Sequence, residues 1–165
     1  MEKNTLGPEI WRNIIYKFNR EKLDYVLVGA AALVVYGIPR STLDIDIYIP
    51  AKEQALNKLF QLASSLGLKS EQKAILDIAH SPRLFVNQWL CFSYKGQDIL
   101  DVFLCGENEF RRLLKGSTLK RDKSISLRVA SLKDIEAMKK ASGRPIDLAD
   151  LELIKELKNM KRRTG

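Results

Sequence analysis

The segment Leu43-Asp44-Ile45-Asp46-Ile47-Tyr48-Ile49 alternates aliphatic and polar side chains with a period of two. That period belongs to a β-strand with one buried face, because successive side chains on a strand point to opposite sides. Leu43, Ile45, Ile47 and Ile49 fall on one face, Asp44, Asp46 and Tyr48 on the other, and Pro50 stops the strand. The two carboxylates share a face, roughly 6.5–7 Å apart at the backbone. Like charges so placed repel. A cation between them removes that cost, and Mg²⁺ suits one or two carboxylates together with substrate phosphates. A solvated strand face bearing two acids is the plainer alternative.

Three features weigh against the plainer alternative. Gly29 sits at a strand-to-helix junction before the acidic strand, where a residue without Cβ lets backbone approach a phosphate. Arg40 lies in the turn that enters the strand, within reach of phosphate. Asp101 stands inside the apolar run Ile99-Leu100-Asp101-Val102-Phe103-Leu104, where a charge is costly unless paired or bound to metal. Asp101 is therefore the expected third ligand, while Asp98, nearer a turn, is expected to be solvated.

The rest of the chain reads as alternating elements. Gly7-Pro8 opens a helix whose apolar stripe is Ile10, Trp11, Ile14, Ile15 and Phe18. Tyr25 to Val28 reads as a buried strand, Ala30 to Tyr36 as a short helix closed by Gly37, and Ala51 to Leu66 as an amphipathic helix ending at Gly67. Residues 68–86 carry no clear pattern. Asn87–Tyr94 and Gln97–Cys105 form a hairpin across Lys95-Gly96, in which Leu90 faces Asp101 and Cys91 faces Leu100. That register sets Cys91 and Cys105 on opposite faces and predicts no disulfide. Helices over 107–115, 131–142 and 146–160 and a strand over 124–130 complete the pattern, with Ser131 capping and Gly143 ending the penultimate helix. Interleaved strands and helices with a hairpin predict an α+β chain: a short mixed β-sheet flanked by helices, plus a C-terminal helical segment. At 165 residues the chain reads as a single domain, residues 1–165, with its core over about 24–130 and C-terminal helices over about 131–160.

Charge adds a partner class. The net charge is +8, and it is concentrated: residues 111–123 hold six basic groups against one Asp, and residues 155–163 five against one Glu. Such a footprint favours nucleotide phosphates or nucleic acid, a solvated surface being the alternative. The uncharged run Tyr25 to Pro39 spans fifteen residues and contains two glycines, too short for a membrane span. No apolar signal core opens the chain, so a reducing cytoplasm is the expectation.

These residues resemble a known signature. Val28-Gly29-Ala30, thirteen residues, then Asp44-Ile45-Asp46 is similar to the G-[GS]-x(9–13)-D-x-[DE] pattern of the DNA polymerase β-like nucleotidyltransferase superfamily. The string GAAALVVYGIPRSTLDIDIYI resembles the small stand-alone branch related to AbiEii-type toxins, and MKKASGRPIDLADLELI resembles that branch's C-terminal segment through Lys139, Arg144, Asp147 and Asp150. Ala30 departs from the usual second Gly or Ser, and Ile146 from the usual Lys.

The resemblance implies a nucleotidyltransferase fold and a two-metal reaction. Mg²⁺ or Mn²⁺ ions about 3.5–4 Å apart would clamp a nucleoside triphosphate and an attacking hydroxyl. Asp44 and Asp46 would hold the nucleotide's metal; Asp101 would complete the second site and help deprotonate the acceptor. Gly29, Ala30, Arg40, Thr42 and Lys139 would bind nucleotide. The implied acceptors are tRNA 3′ ends, protein hydroxyls or small molecules such as aminoglycosides, and the toxin branch implies a cognate antitoxin. A catalytically inactive member that binds nucleotide or a partner is the alternative, as is a basic nucleic-acid-binding module.

Each residue also has a structural reading. Arg40 could pair with a nearby acid, Thr42 could set the turn, and Lys139 could lie on a solvated helix face. Arg144, Asp147 and Asp150 read first as ion pairs joining the last two helices. Trp11 and Trp89 read as core or interface aromatics. The lone His80 is given no role.

Overall fold

The computed structural model describes residues 9–70 and 86–164. Gly7-Pro8, His80 and most of the unpatterned stretch lie outside them. In chain order the elements are α1 (Glu9–Arg20), β1 (Val26–Val28), α2 (Gly29–Val35), β2 (Ile45–Pro50), α3 (Glu53–Ser65), β3 (Trp89–Tyr94), β4 (Gln97–Cys105), α4 (Glu107–Gly116), β5 (Thr118–Asp122), β6 (Ile125–Val129), α5 (Leu132–Ser142) and α6 (Pro145–Thr164).

The strands form one mixed sheet of six in the order β3-β4-β2-β1-β6-β5. β1 runs antiparallel to β2 and parallel to β6, while β2 runs parallel to β4. The aliphatic face of the sheet carries Ile45, Ile47, Ile49, Leu90, Phe92, Leu100, Val102 and Leu104, all buried. α3 packs on this face, with Phe60 and Phe92 ring centroids 5.7 Å apart. α1 buries Trp11, Ile14, Ile15 and Phe18 in the same core, the stripe its spacing predicts. Burial of that aliphatic set fixes the opposite face of β2 and β4 as the polar one, because a strand's period leaves no other choice.

Three sequence expectations need correction. The acidic strand begins at Ile45, and Leu43 is 72% exposed rather than part of the buried face. Leu43 precedes the first ladder pair, so nothing holds it to the sheet's pleat. The hairpin turns at Lys95-Gly96 as expected, both residues having positive φ (50° and 81°), but its register slips beyond the turn. A bulge at Phe92/Ser93 lets Ile99 stand without a partner, so Cys91, not Leu90, lies opposite Asp101. Cys91 and Cys105 then share strand parity instead of lying on opposite faces. They remain free because four residues of strand, on the order of 13 Å, separate Asp101 from Cys105. Finally, Thr118–Asp122 forms a sixth strand that the charge-dense sequence concealed. It is an edge strand with mostly exposed side chains, so it needs no buried apolar face.

The C-terminal helices follow the expected punctuation. Ser131 accepts a bond from the Asp134 amide at the start of α5, and Gly143 ends it in the left-handed region at φ 62°.

Candidate active site

Parallel pairing of β2 with β4 sets Asp46 directly beside Asp101. Asp44 stands one residue before β2, and the Thr42 hydroxyl donates to its backbone oxygen (2.9 Å) and its carboxylate (3.4 Å). One carboxylate oxygen from each of Asp44, Asp46 and Asp101 lies within 4.8 Å of the others. The structure places Asp101 beside the pair, and Asp98 is exposed and outside this group of three.

Proton affinity reflects this crowding. Burial first, then the charges of Asp44 and Asp101, push the Asp46 carboxyl up to about 7. Burial also raises Asp101, with the Asp44 charge adding to it. The Cys91 thiol, opposite Asp101, is pushed up to about 12 by burial and by that carboxylate, so it stays protonated.

Gly29 has a role the sequence did not reveal. It ends β1 next to Val28, whose ladder partner is Asp46, and it adopts φ +71°. A Cβ at Gly29 would overlap the Asp46 carboxylate oxygen, so the absence of a side chain is what lets that carboxylate stand there. Ala30 follows in the first turn of α2.

A cavity of about 210 Å³ opens beside Asp46. Gly29, Asp46, Lys139, Arg144 and Asp147 form its polar side; Tyr48, Phe103, Ile135 and Met138 form its apolar side. Lys139 is therefore not on a solvated helix face: it is 8% exposed, with Nζ 2.7 Å from Asp150 and 3.5 Å from Asp147. Asp150 also accepts from Arg40 Nε at 2.9 Å. Arg40 is thus held to α6 by an acid, the structural alternative the sequence left open. Arg144 Nε donates to Asp147 at 2.8 Å and holds that carboxyl well below the usual carboxylate range. Arg144, Asp147 and Asp150 form the ion-pair set expected of them, and Lys139 and Arg40 extend it from α5 across to the loop before Thr42.

Sequence reasoning missed the apolar half of the site. The alternation places Tyr48 on the polar face, and Phe103, two residues beyond Asp101, shares its parity without being singled out by the pattern. That parity was the available signal. The structure pairs Tyr48 with Phe103 and Phe103 with Trp89, while Trp11 is core.

The fold is one shared with solved nucleotidyltransferases. A provisionally named nucleotidyltransferase of Thermotoga maritima superposes with a TM-score of 0.58 at 15% identity, covering 92% of this chain and 91% of that one. ANT(2″)-Ia, solved in complex with adenylyl-2″-tobramycin, gives 0.60 at 13% identity over 94% and 97% of the chains. An antigenic nucleotidyltransferase-like protein from Paracoccidioides brasiliensis gives 0.57 at 17% identity over 90% and 76%. No protein-family model and no curated protein matches the sequence. Among the described residues, no helix is long and apolar enough to cross a membrane.

Proposed function

We propose that the chain, residues 1–165 acting as one unit, transfers a nucleoside monophosphate from a nucleoside triphosphate to an acceptor hydroxyl. The observation that carries this is the meeting of Asp44, Asp46 and Asp101 within 4.8 Å, on a nucleotidyltransferase fold. The donor set suits a divalent cation. It offers only hard oxygen ligands, and the raised Asp46 marks a cluster of negative charge that Lys139 offsets only in part. Mg²⁺ or Mn²⁺ is the cofactor this set would hold, and when bound it would neutralise phosphate charge at the reacting centre.

The chain's own groups divide the remaining work. The amides of Gly29 and Ala30, which open α2, donate to phosphate oxygens beside Asp46. Lys139 and Arg144 line the same cavity and offer positive charge to the triphosphate. Thr42 orients Asp44, and Arg40, anchored by Asp150, fixes the loop that carries Thr42. Asp101 accepts the proton of the acceptor hydroxyl, whose oxygen attacks the α-phosphorus while pyrophosphate departs. Positioning and charge neutralisation account for the rate, as in other phosphoryl-type transfers.

The finer reading is a toxin of a toxin–antitoxin pair, of the AbiEii-like branch. The loop string through Arg40, Thr42 and Asp44 supports it, together with the Lys139, Arg144, Asp147 and Asp150 set. It carries a cytoplasmic setting, an antitoxin protein as partner and tRNA among the acceptors.

The test is incubation with each α-labelled nucleoside triphosphate, Mg²⁺ or Mn²⁺, and total RNA or lysate. Label retained on an acceptor is the expected result, together with a thermal shift that needs triphosphate and metal jointly. No transfer and no shift under any pairing would overturn the reading. Triphosphate binding with transfer to nothing would instead identify an inactive binder.

A further inference from the structure

A row of three side chains crosses the open face of the sheet. Asp46 on β2, Asp101 on β4 and Cys91 on β3 are each the cross-strand partner of the next. Two residues along each strand the same register repeats as Tyr48, Phe103 and Trp89, an aromatic row whose rings stack on one another. The bulge at Phe92/Ser93 sets the β3 end of both rows. Without it Leu90 would stand opposite Asp101, and an aliphatic side chain has nothing to donate. Bulges beside functional sites re-aim single side chains in this way.

We infer that Cys91 is the positioning residue of Asp101: its S–H donates to one carboxylate oxygen and so fixes how the other is presented to the cation and the acceptor hydroxyl. The inference rests on the transfer reading above and adds a residue to that site. Three observations lead to it. First, the thiol and the Asp101 carboxylate are hydrogen-bonded across the β3–β4 ladder, and Asp98, nearer the turn, is the thiol's other acidic neighbour. Second, Asp44 and Asp46 also reach the Asp101 carboxylate, but ionised acids only accept, so Cys91 is the donor of the three. A thiol with an ordinary pKa of about 8.5 already carries its proton at neutral pH. Third, a carboxylate turns about a last torsion that is broad and has no staggered wells to hold it. Asp101 is only half-buried, so packing alone does not fix that torsion. A donor on β3, the side away from Asp46, supplies the restraint that outer hydrogen-bond partners give to metal-binding carboxylates.

The experiment compares Cys91→Ser, which keeps a donor, with Cys91→Val, which keeps apolar bulk. Nucleotidyl transfer, Mn²⁺ binding to the protein without triphosphate, and the urea midpoint are measured for each. Cys91→Val should lower kcat and weaken Mn²⁺ binding about tenfold or more, with KM for the triphosphate little changed. Cys91→Ser should stay within about threefold of wild type, because its hydroxyl donates at least as well as the thiol. A packing role gives the reverse order and overturns the inference, as does a Val variant equal to wild type in both readouts. The bond itself is read from the S–H Raman band of Cys91, in a Cys105→Ala background that removes the other thiol. Asp101→Ala should move that band to higher frequency, since a donated bond weakens the S–H stretch. No movement, or movement only in Asp98→Ala, overturns the inference. Wild-type protein that transfers label to nothing, yet shows the Raman shift and the Ser-over-Val order in Mn²⁺ binding, would remove the transfer reading and leave Cys91 its positioning role.

Discussion

Asp46 is the residue on which burial and charge conflict most directly. Its carboxylate fills the space that a side chain at residue 29 would take, and two further acids stand within ligand distance. In the metal-free protein this arrangement costs stability. Asp46→Asn keeps the shape and removes a buried charge, so we expect its metal-free stability at pH 8 to be equal to wild type or higher by up to about 1 kcal/mol. Nucleotidyl transfer by the same variant should fall about a thousandfold or more, the scale on which preorganised charge stabilisation is lost. Paired measurements of urea midpoint and transfer rate decide the matter. A clear drop in stability with activity retained would mark Asp46 as a structural partner and not a metal ligand.

Between elements, the acid that matters is Asp150 on α6. It is 1% exposed and joins Lys139 of α5 to Arg40 of the loop before β2. Removing it leaves Lys139 buried with only Asp147, 3.5 Å away, and frees the loop that carries Thr42. Breaking a buried pair strands the remaining charge, so Asp150→Ala should destabilise by about 3 kcal/mol. Arg40 is partly exposed, and Arg40→Ala should cost about 1 kcal/mol or less, because Asp150 keeps its bond to Lys139. Equal losses in denaturant melts of the two variants would show that the Lys139 pair contributes nothing of its own.

Across the molecule, the concentrated positive charge is partly answered from within. Arg12 pairs with Asp122, Arg112 with Glu109 and Asp134, and Lys158 with Glu136, tying β5, α4 and α6 to their neighbours. Acid should loosen the Arg144–Asp147 contact at the start of α6. Asp147 holds its proton less tightly when folded than when unfolded, because Arg144 favours the ionised form. Its contribution is therefore complete above about pH 4 and is lost as pH falls through the depressed folded value. Arg144→Gln removes that support, so its acid-unfolding midpoint should move to higher pH than that of the wild type. Coincident acid transitions, followed by far-ultraviolet circular dichroism, would show that this pair carries no linkage.

Local chemistry by itself determined a good part of this protein. The period of Leu43–Ile49 made Asp46 point away from the core, since Ile45, Ile47 and Ile49 had to point into it. An acid at Asp101 inside an apolar strand had to find company, and a Ser131 cap and Gly143 stop bounded α5. All of these follow from sterics or burial within a few residues, so they can be read from the chain. What depends on partners distant in sequence could not be. One bulge at Phe92/Ser93 moved Cys91 opposite Asp101 and completed the aromatic row at Trp89, a slip of a single residue that composition does not record. Thr118–Asp122 became a strand because β6 offered it an edge, with no apolar pattern of its own. Arg40 and Lys139 each had several acids to choose from, and only the docking of α6 against α5 and the loop before β2 selected Asp150. A charged side chain reaches a partner far along the chain at little local cost, so its choice is made by packing, whereas a strand's alternation is made by the bond geometry of the strand itself.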